Sequence, residues 1–513
     1  MPPADSAATL APESLRPSPT VGAFRLSALE KDPRVVSFAQ TRAGKAALIV
    51  PFAVLAWLVH KPAAIVGAAL VVFFPARRRL MVALASLAML LVTSRLEEVL
   101  RAVGQQGGAL ALSQHFAFKP AALLLALVLV IGYVHVAKTR LPALLLRWPV
   151  TTLLAINTGL VALASLLPLH GAWRTVAWAV VAGAGGYLWY AAYGLRDRTE
   201  RHGRTLLKDA SAWRPFWGGT NVPFPKPGAW LEQLEVRTPE EAAVWQLKAL
   251  KLLGWALVLA VLRTGLVVLA TGKSSHPSAW LPDDVLAVTV GLSFAGSGLE
   301  VPTLPDALAV AFAGNPNPAA VNWASLALYL AVDLLDISIF GHVAVAGARM
   351  AGFKALRNTH RPLESRSIAD FWNRYYFYFK ELLLDFFFFP TYMRWFKKHP
   401  RLRLFFATFV AAGLGNFLYH WLADPAGIVT WGFWGSLRAM ETYALYAAIL
   451  VLGIGLSQLA KPRAAVRTST FSRVTTVAGV LLFYGLLQVP NVAPLGSTTV
   501  DCLRFFLCLF PQL

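Results

Sequence analysis

Charge is scarce in this chain. Only 14% of its 513 residues are Asp, Glu, Lys or Arg, where soluble domains carry about 25%. That shortage excludes an ordinary water-facing surface around so long a chain. Cysteine is scarcer still, with Cys502 and Cys508 alone. Two thiols give neither a disulfide framework nor a zinc-ligand spacing, and both read as small apolar helix residues. Acidic residues are few, 26 against 47 basic ones, which leaves a net charge of +21. No nucleic-acid motif accompanies that excess. Basic loops facing anionic lipid account for it instead. Also missing is the ten-residue alternation of polar and apolar positions that marks a membrane β-barrel.

What the chain has is hydrophobic length, with 57% apolar residues. Long runs such as Leu80–Thr93, Ala121–Val136, Val176–Ala192 and Leu252–Ala270 recur along it. About 20 such residues cross the hydrocarbon core as a helix. Spans are expected near 46–75 (broken at His60–Pro62), 80–98, 121–137, 148–168, 175–195, 251–271, 320–350, 404–423, 441–459 and 474–489. The apolar piece 284–315 reads as re-entrant or as a peripheral hairpin, and 499–511 is too short to assign. The expected fold is an all-α, polytopic transmembrane bundle of about 10–12 spans with re-entrant or interfacial helices.

Arg and Lys crowd alternate loops: 77–79, 138–147, 196–248, 354–403 and 461–473. These are expected to face the cytoplasm. Met1–Gly22 is rich in Ala, Pro and Ser and has no apolar core of a signal peptide. Residues 1–44 read as a disordered cytoplasmic tail, and 45–513 as one membrane domain whose first span acts as the insertion signal. Thr238, Pro239 and Glu241 form a helix start. Trp213, Trp217 and Trp230 suit a membrane interface. The aromatic and basic stretch 354–403 is expected to lie in the interface or to dip into the protein.

Polar residues inside spans are functional candidates by default. Asn416 and His420 stand at i, i+4 on one helical face, and His titrates near neutral pH. Asp333, Asp336 and His342 share another span, where they read equally as a proton relay or as a structural polar patch. His135 and Asn157 are isolated and read as packing or span-end residues.

At 352–390 the sequence becomes specific. Gly352–Phe353, Asn358, Arg361–Pro362, Ser367–Ile368, Asp370–Phe371–Trp372, Arg374, Asp385 and Pro390 follow one another at the spacing of a known signature. His420 lies thirty to fifty residues further on, in an apolar helix. In these features the chain resembles the membrane-bound O-acyltransferases, the MBOAT family, over about residues 330–435. It looks most like the bacterial branch that acylates cell-wall polymers and exopolysaccharides. It departs from the pattern at Tyr375–Tyr376, where the family usually has Trp-His, and at Gly341–His342, where a Ser-Asp pair is common.

The resemblance implies transfer of an acyl group from a thioester donor, an acyl-CoA or acyl carrier, to a hydroxyl of a glycan, lipid or small metabolite. His420 would be the general base, Asn416 its orienting or oxyanion-binding partner, and Tyr376 a donor to the thioester carbonyl. Trp372, Asn373, Arg374, Asp385, Asn358, Asp336 and His342 would line the substrates. Arg374, Arg394, Lys397 and Lys398 would hold coenzyme A phosphates. No bound cofactor, metal or nucleic acid is expected, and the setting is a bacterial inner membrane. Two other readings stay open: a non-catalytic relative of the family, and a proton-coupled transporter working through Asp333, Asp336 and His342.

Overall fold

A computed structural model describes residues 29–58, 63–88, 95–139, 148–196, 213–218, 222–271, 299–459 and 470–510. Among the described residues the ordered elements are helical, and β-pairing is limited to two isolated bridges, Gly108 with Gly171 and Glu235 with Phe353. Among the described residues seven helices are long and apolar enough to cross a membrane: Phe118–Ala137, Pro149–Leu166, Pro239–Thr271, Ala319–Met350, Pro400–Ala423, Pro425–Leu459 and Phe471–Val492. The pair Pro33–Gln40 and Arg42–Leu58, bent by 97°, raises the number to eight if it is one span.

This is fewer than the ten to twelve expected. The 175–195 run is cut into Gly171–Gly185 and Leu188–Arg196, neither long enough to cross by itself. Gly183, Gly185 and Gly186 crowd that break, where the absence of Cβ makes a helix least favourable. The 80–98 run becomes Arg78–Ala88 and Arg95–Gln105, with 89–94 outside the described residues. The 46–75 run is likewise two helices, Arg42–Leu58 and Ala63–Phe73, and His60–Pro62 lies outside the described residues. Leu304–Phe312 and Thr499–Leu507 are nine-residue helices.

The tail ends earlier than expected. Asp32 caps Pro33–Gln40 by accepting from the Arg34 amide at 2.8 Å. The apolar side of that helix, Val36 and Ala39, packs on Ala243 and Leu247.

Two long helices form the spine. Pro239–Thr271 starts at the cap read from the sequence: the Glu241 amide donates to Thr238 Oγ1 at 3.1 Å, and Glu241 Oε2 accepts from the Arg237 amide at 2.8 Å. It runs unbroken for 33 residues, joining what the sequence divides into a cytoplasmic helix start and a span. It packs antiparallel to Ala319–Met350, with Gln246 near Met350 at one end and Arg263 paired to Asp336 further along.

Residues 213–218 and 222–237 are largely irregular, apart from the short helix Ala229–Gln233, yet mostly buried. Trp213, Phe216, Trp217 and Phe224 are each at most 5% exposed. The Trp217 indole donates to the Phe224 carbonyl. Backbone without regular structure is tolerated at membrane depth only where protein surrounds it, and here the surroundings are the Phe340, Tyr376 and Tyr378 rings. Trp213 and Trp217 are therefore core residues rather than interface anchors. Trp230 is 38% exposed.

Candidate active site

The signature stretch folds around a deliberate break. Ser367 Oγ accepts from the Asp370 amide at 3.0 Å and starts the helix Ile368–Tyr375. Asp370 also accepts from the Arg366 amide at 3.0 Å and from Arg374 Nε at 2.9 Å. Tyr376 (φ −137°, ψ 77°) is not helical, and a new helix begins at Phe377.

A break inside a helical run strands backbone donors and acceptors on both sides. The 358–360 stretch meets them. The Asn358 carbonyl accepts from the Phe377 amide at 2.9 Å, and its side-chain oxygen from the Tyr378 amide at 3.3 Å. The His360 amide donates to the Arg374 carbonyl at 2.8 Å, and Thr359 Oγ1 donates to Tyr375 O at 2.9 Å. Asn358, 1% exposed, thus fixes the turn that presents Tyr376. A methyl at Gly341 would stand 2.6 Å from Asn358 Cβ, which explains the small residue beneath it. Burial, together with Arg357, Arg361 and Arg374, lowers the His360 pKa from its ordinary value.

The helix that follows carries the ring where the candidates meet. Phe379, 3% exposed, lies with its centroid 6.1 Å from Trp372, 5.4 Å from Tyr376, 4.6 Å from Tyr419 and 5.9 Å from His420. His420 is exposed and belongs to Asn416–Ala423. Asn416, one turn earlier, is fully buried. Its Oδ1 accepts from Tyr443 OH at 3.3 Å, and the Tyr443 ring lies 4.8 Å from the imidazole. Tyr443 therefore touches both members of the Asn-His pair. The Asn416 amide nitrogen is buried without a partner among the described residues.

Two wide π turns bracket this region, Leu384–Phe388 and Phe409–Gly415, the second ending at Asn416. Such turns recur at functional sites. They touch: a Cβ on Gly415 would lie 2.7 Å from the Phe387 ring.

Other candidates stand elsewhere. Asn373 is exposed, and Arg374 is engaged by Asp370. Arg394 packs over Trp148, 3.6 Å from the ring centre, while Lys397 and Lys398 are exposed. His342 is buried, its Nδ1 2.6 Å from Ser338 O on its own helix. Asp336 pairs with Arg263 at 2.8 Å, where Arg263 is 1% exposed. Asp333 accepts from Tyr375 OH at 2.5 Å, which ties the spine to the signature helix.

Asp385 is the hub of an ion network rather than a neighbour of His420. Arg196 and Lys226 each approach it at 2.6 Å, and Tyr193 OH donates to it at 3.1 Å. Lys226 also meets Glu381 at 2.7 Å. Burial pushes the Asp385 pKa up, but the two cations outweigh that and hold it below the usual carboxylate value.

Sequence reasoning missed Phe379, Tyr443 and Arg263. The first two are ordinary aromatic residues whose importance lies only in what they touch. Arg263 carried a readable signal, a lone cation within an apolar run. Compared with known proteins, the chain matches no family model and no curated protein.

Proposed function

We propose that this multi-pass membrane protein is an O-acyltransferase of the MBOAT type, with His420 as general base. The observation that carries the reading is the convergence on Phe379. Trp372 and Tyr376 come from the signature stretch and His420 from a helix more than forty residues later, yet all three border one ring. The reading is consistent with an exposed imidazole, which a substrate hydroxyl can reach. A neutral imidazole takes the hydroxyl proton as oxygen attacks the thioester carbonyl, and a positioned base contributes about 10²–10⁴-fold. Tyr443 and Asn416 position that ring from one side. Tyr376, partly buried with its ring 5.4 Å from that of Phe379, would donate to the carbonyl oxygen.

On this reading the donor is an acyl-CoA or acyl carrier thioester, and the acceptor is a hydroxyl of a glycan, lipid or metabolite. The setting is a bacterial inner membrane with the N-terminus in the cytoplasm. The transporter alternative loses ground, because a relay needs carboxylates free to load and release protons. Asp336 is held by a buried Arg263, and Asp333 by the Tyr375 hydroxyl.

The test is to incubate purified protein in nanodiscs with labelled acetyl-CoA, longer acyl-CoAs and acylated carrier protein, together with an envelope extract. Label in an ester product supports the proposal. Failure to transfer from every donor removes it.

A further inference from the structure

Just beyond His420 along its helix, the turn Leu422–Ala426 forms one wall of a cavity of about 170 Å³. By the measure that a water needs roughly 10–15 Å³, it holds on the order of ten water-sized groups. The other walls come from Glu98 and Val99, from Leu123, from Asn157 and Val161, from the Gly183–Gly186 break, and from Arg214. Arg214 belongs to a segment expected on the cytoplasmic side, and Asp424 to a loop expected on the other. Their meeting in one cavity means that the 213–218 turn enters the bundle.

The polar groups are graded along this space. Asn157 is only 7% exposed and lines the cavity. From the cavity wall its amide offers a ligand both donors and an acceptor. Arg214 is partly buried, in a left-handed backbone conformation (φ 49°), with its guanidinium 5.7 Å from the Tyr187 ring centre. Glycine at 186 makes room for it: a Cβ there would stand 2.7 Å from Arg214 Nη1. Glu98 and Asp424 are exposed and contribute two carboxylates to the rim. One Asp424 oxygen caps the next helix through the Gly427 amide at 2.9 Å.

We infer that this cavity binds a small zwitterion, its oxyanion on Arg214 and Asn157 and its ammonium group at Glu98 and Asp424. A guanidinium fork matches a carboxylate or phosphate. An acidic rim disfavours a simple anion and favours a molecule that brings its own cation. This site stands independently of the acyltransfer reading, since binding can be measured with no donor present. The ligand chemistry has two sources, a free aminoalkyl phosphate or amino acid, and the headgroup of phosphatidylethanolamine.

The experiment is calorimetric titration of full-length protein in phosphatidylglycerol nanodiscs with phosphoethanolamine and β-alanine. Inorganic phosphate, acetate and ethanolamine serve as half-ligands. At least one zwitterion is expected to bind more tightly than its halves. Arg214→Gln is expected to weaken it by about 30-fold or more. Gly186→Ala, which displaces the guanidinium without removing its charge, should also weaken it, with thermal unfolding confirming that both variants fold. Glu98→Gln should narrow the preference for zwitterion over anion. Repeating the titration in nanodiscs containing phosphatidylethanolamine distinguishes the sources: loss of soluble-ligand binding identifies the headgroup, and unchanged binding a free compound. The inference is overturned if neither zwitterion binds, if the half-ligands bind as well, or if folded Arg214→Gln and Gly186→Ala both bind like the wild type.

Discussion

The Tyr443 hydroxyl donates to Asn416 Oδ1 at 3.3 Å while the same ring lies 4.8 Å from His420. One residue from the Glu441–Leu459 helix thus fixes the amide and borders the imidazole. In the proposed mechanism Tyr443 is a positioning residue. Tyr443→Phe keeps the ring and loses the bond to Asn416, so kcat should fall about tenfold while KM for the donor stays near the wild-type value. Equal kcat values would show that the bond has no part in orienting the pair.

Arg263 and Asp336 pair within the spine, with the guanidinium 1% exposed. Removing one partner from a buried pair leaves an uncompensated charge and costs about 3–5 kcal/mol. Arg263→Met should lower stability on that scale in detergent unfolding. Arg263→Met combined with Asp336→Leu should recover most of the loss. If the double variant is no more stable than the single one, the pair is not the source of the effect.

Tyr375 OH to Asp333 is the bond that joins the signature helix to the spine. Hydrogen bonds to a charged group contribute about 1.5–3 kcal/mol. Tyr375→Phe should destabilise by that amount, and Asp333→Asn, which keeps an acceptor oxygen, by less. Unfolding curves of the two variants decide the order.

Asp385 gives a pH prediction. Its folded pKa lies below the ordinary value because Lys226 and Arg196 outweigh its burial. Stability from this group is therefore complete above the free Asp value of about 3.9. It is lost as pH falls through the lower folded value. Asp385→Asn should weaken the protein near neutral pH and flatten the stability profile below about pH 4. A variant with the wild-type profile would show that the network contributes nothing.

How much of this was legible in the sequence follows from how far each partner lies along the chain. The Thr238 cap was readable, because its donors and acceptors sit within four residues. The i, i+4 relation of Asn416 and His420 was readable for the same reason. Asp385 was picked out, but its partners Arg196 and Lys226 are more than 150 residues away and no local pattern announces them. Trp213 and Trp217 were misplaced because aromatic residues beside charges look alike whether they anchor at an interface or fill a core. Asn157, read as a packing or span-end residue, lines a cavity that six separate stretches of chain assemble. The described residues hold fewer long apolar helices than expected, in part because hydropathy counts apolar residues and does not see where Gly183–Gly186 interrupts a helix.

The central claim is that His420 takes the proton from the acceptor hydroxyl. The most direct measurement compares label transfer from thioester to acceptor by wild-type and His420→Ala protein, with matched unfolding curves and donor-binding titrations. The account predicts that His420→Ala folds and binds donor like the wild type, because the side chain is exposed, while transfer falls by about 10²-fold or more. Transfer by His420→Ala at the wild-type rate would contradict the mechanism and move the search for the base to other residues.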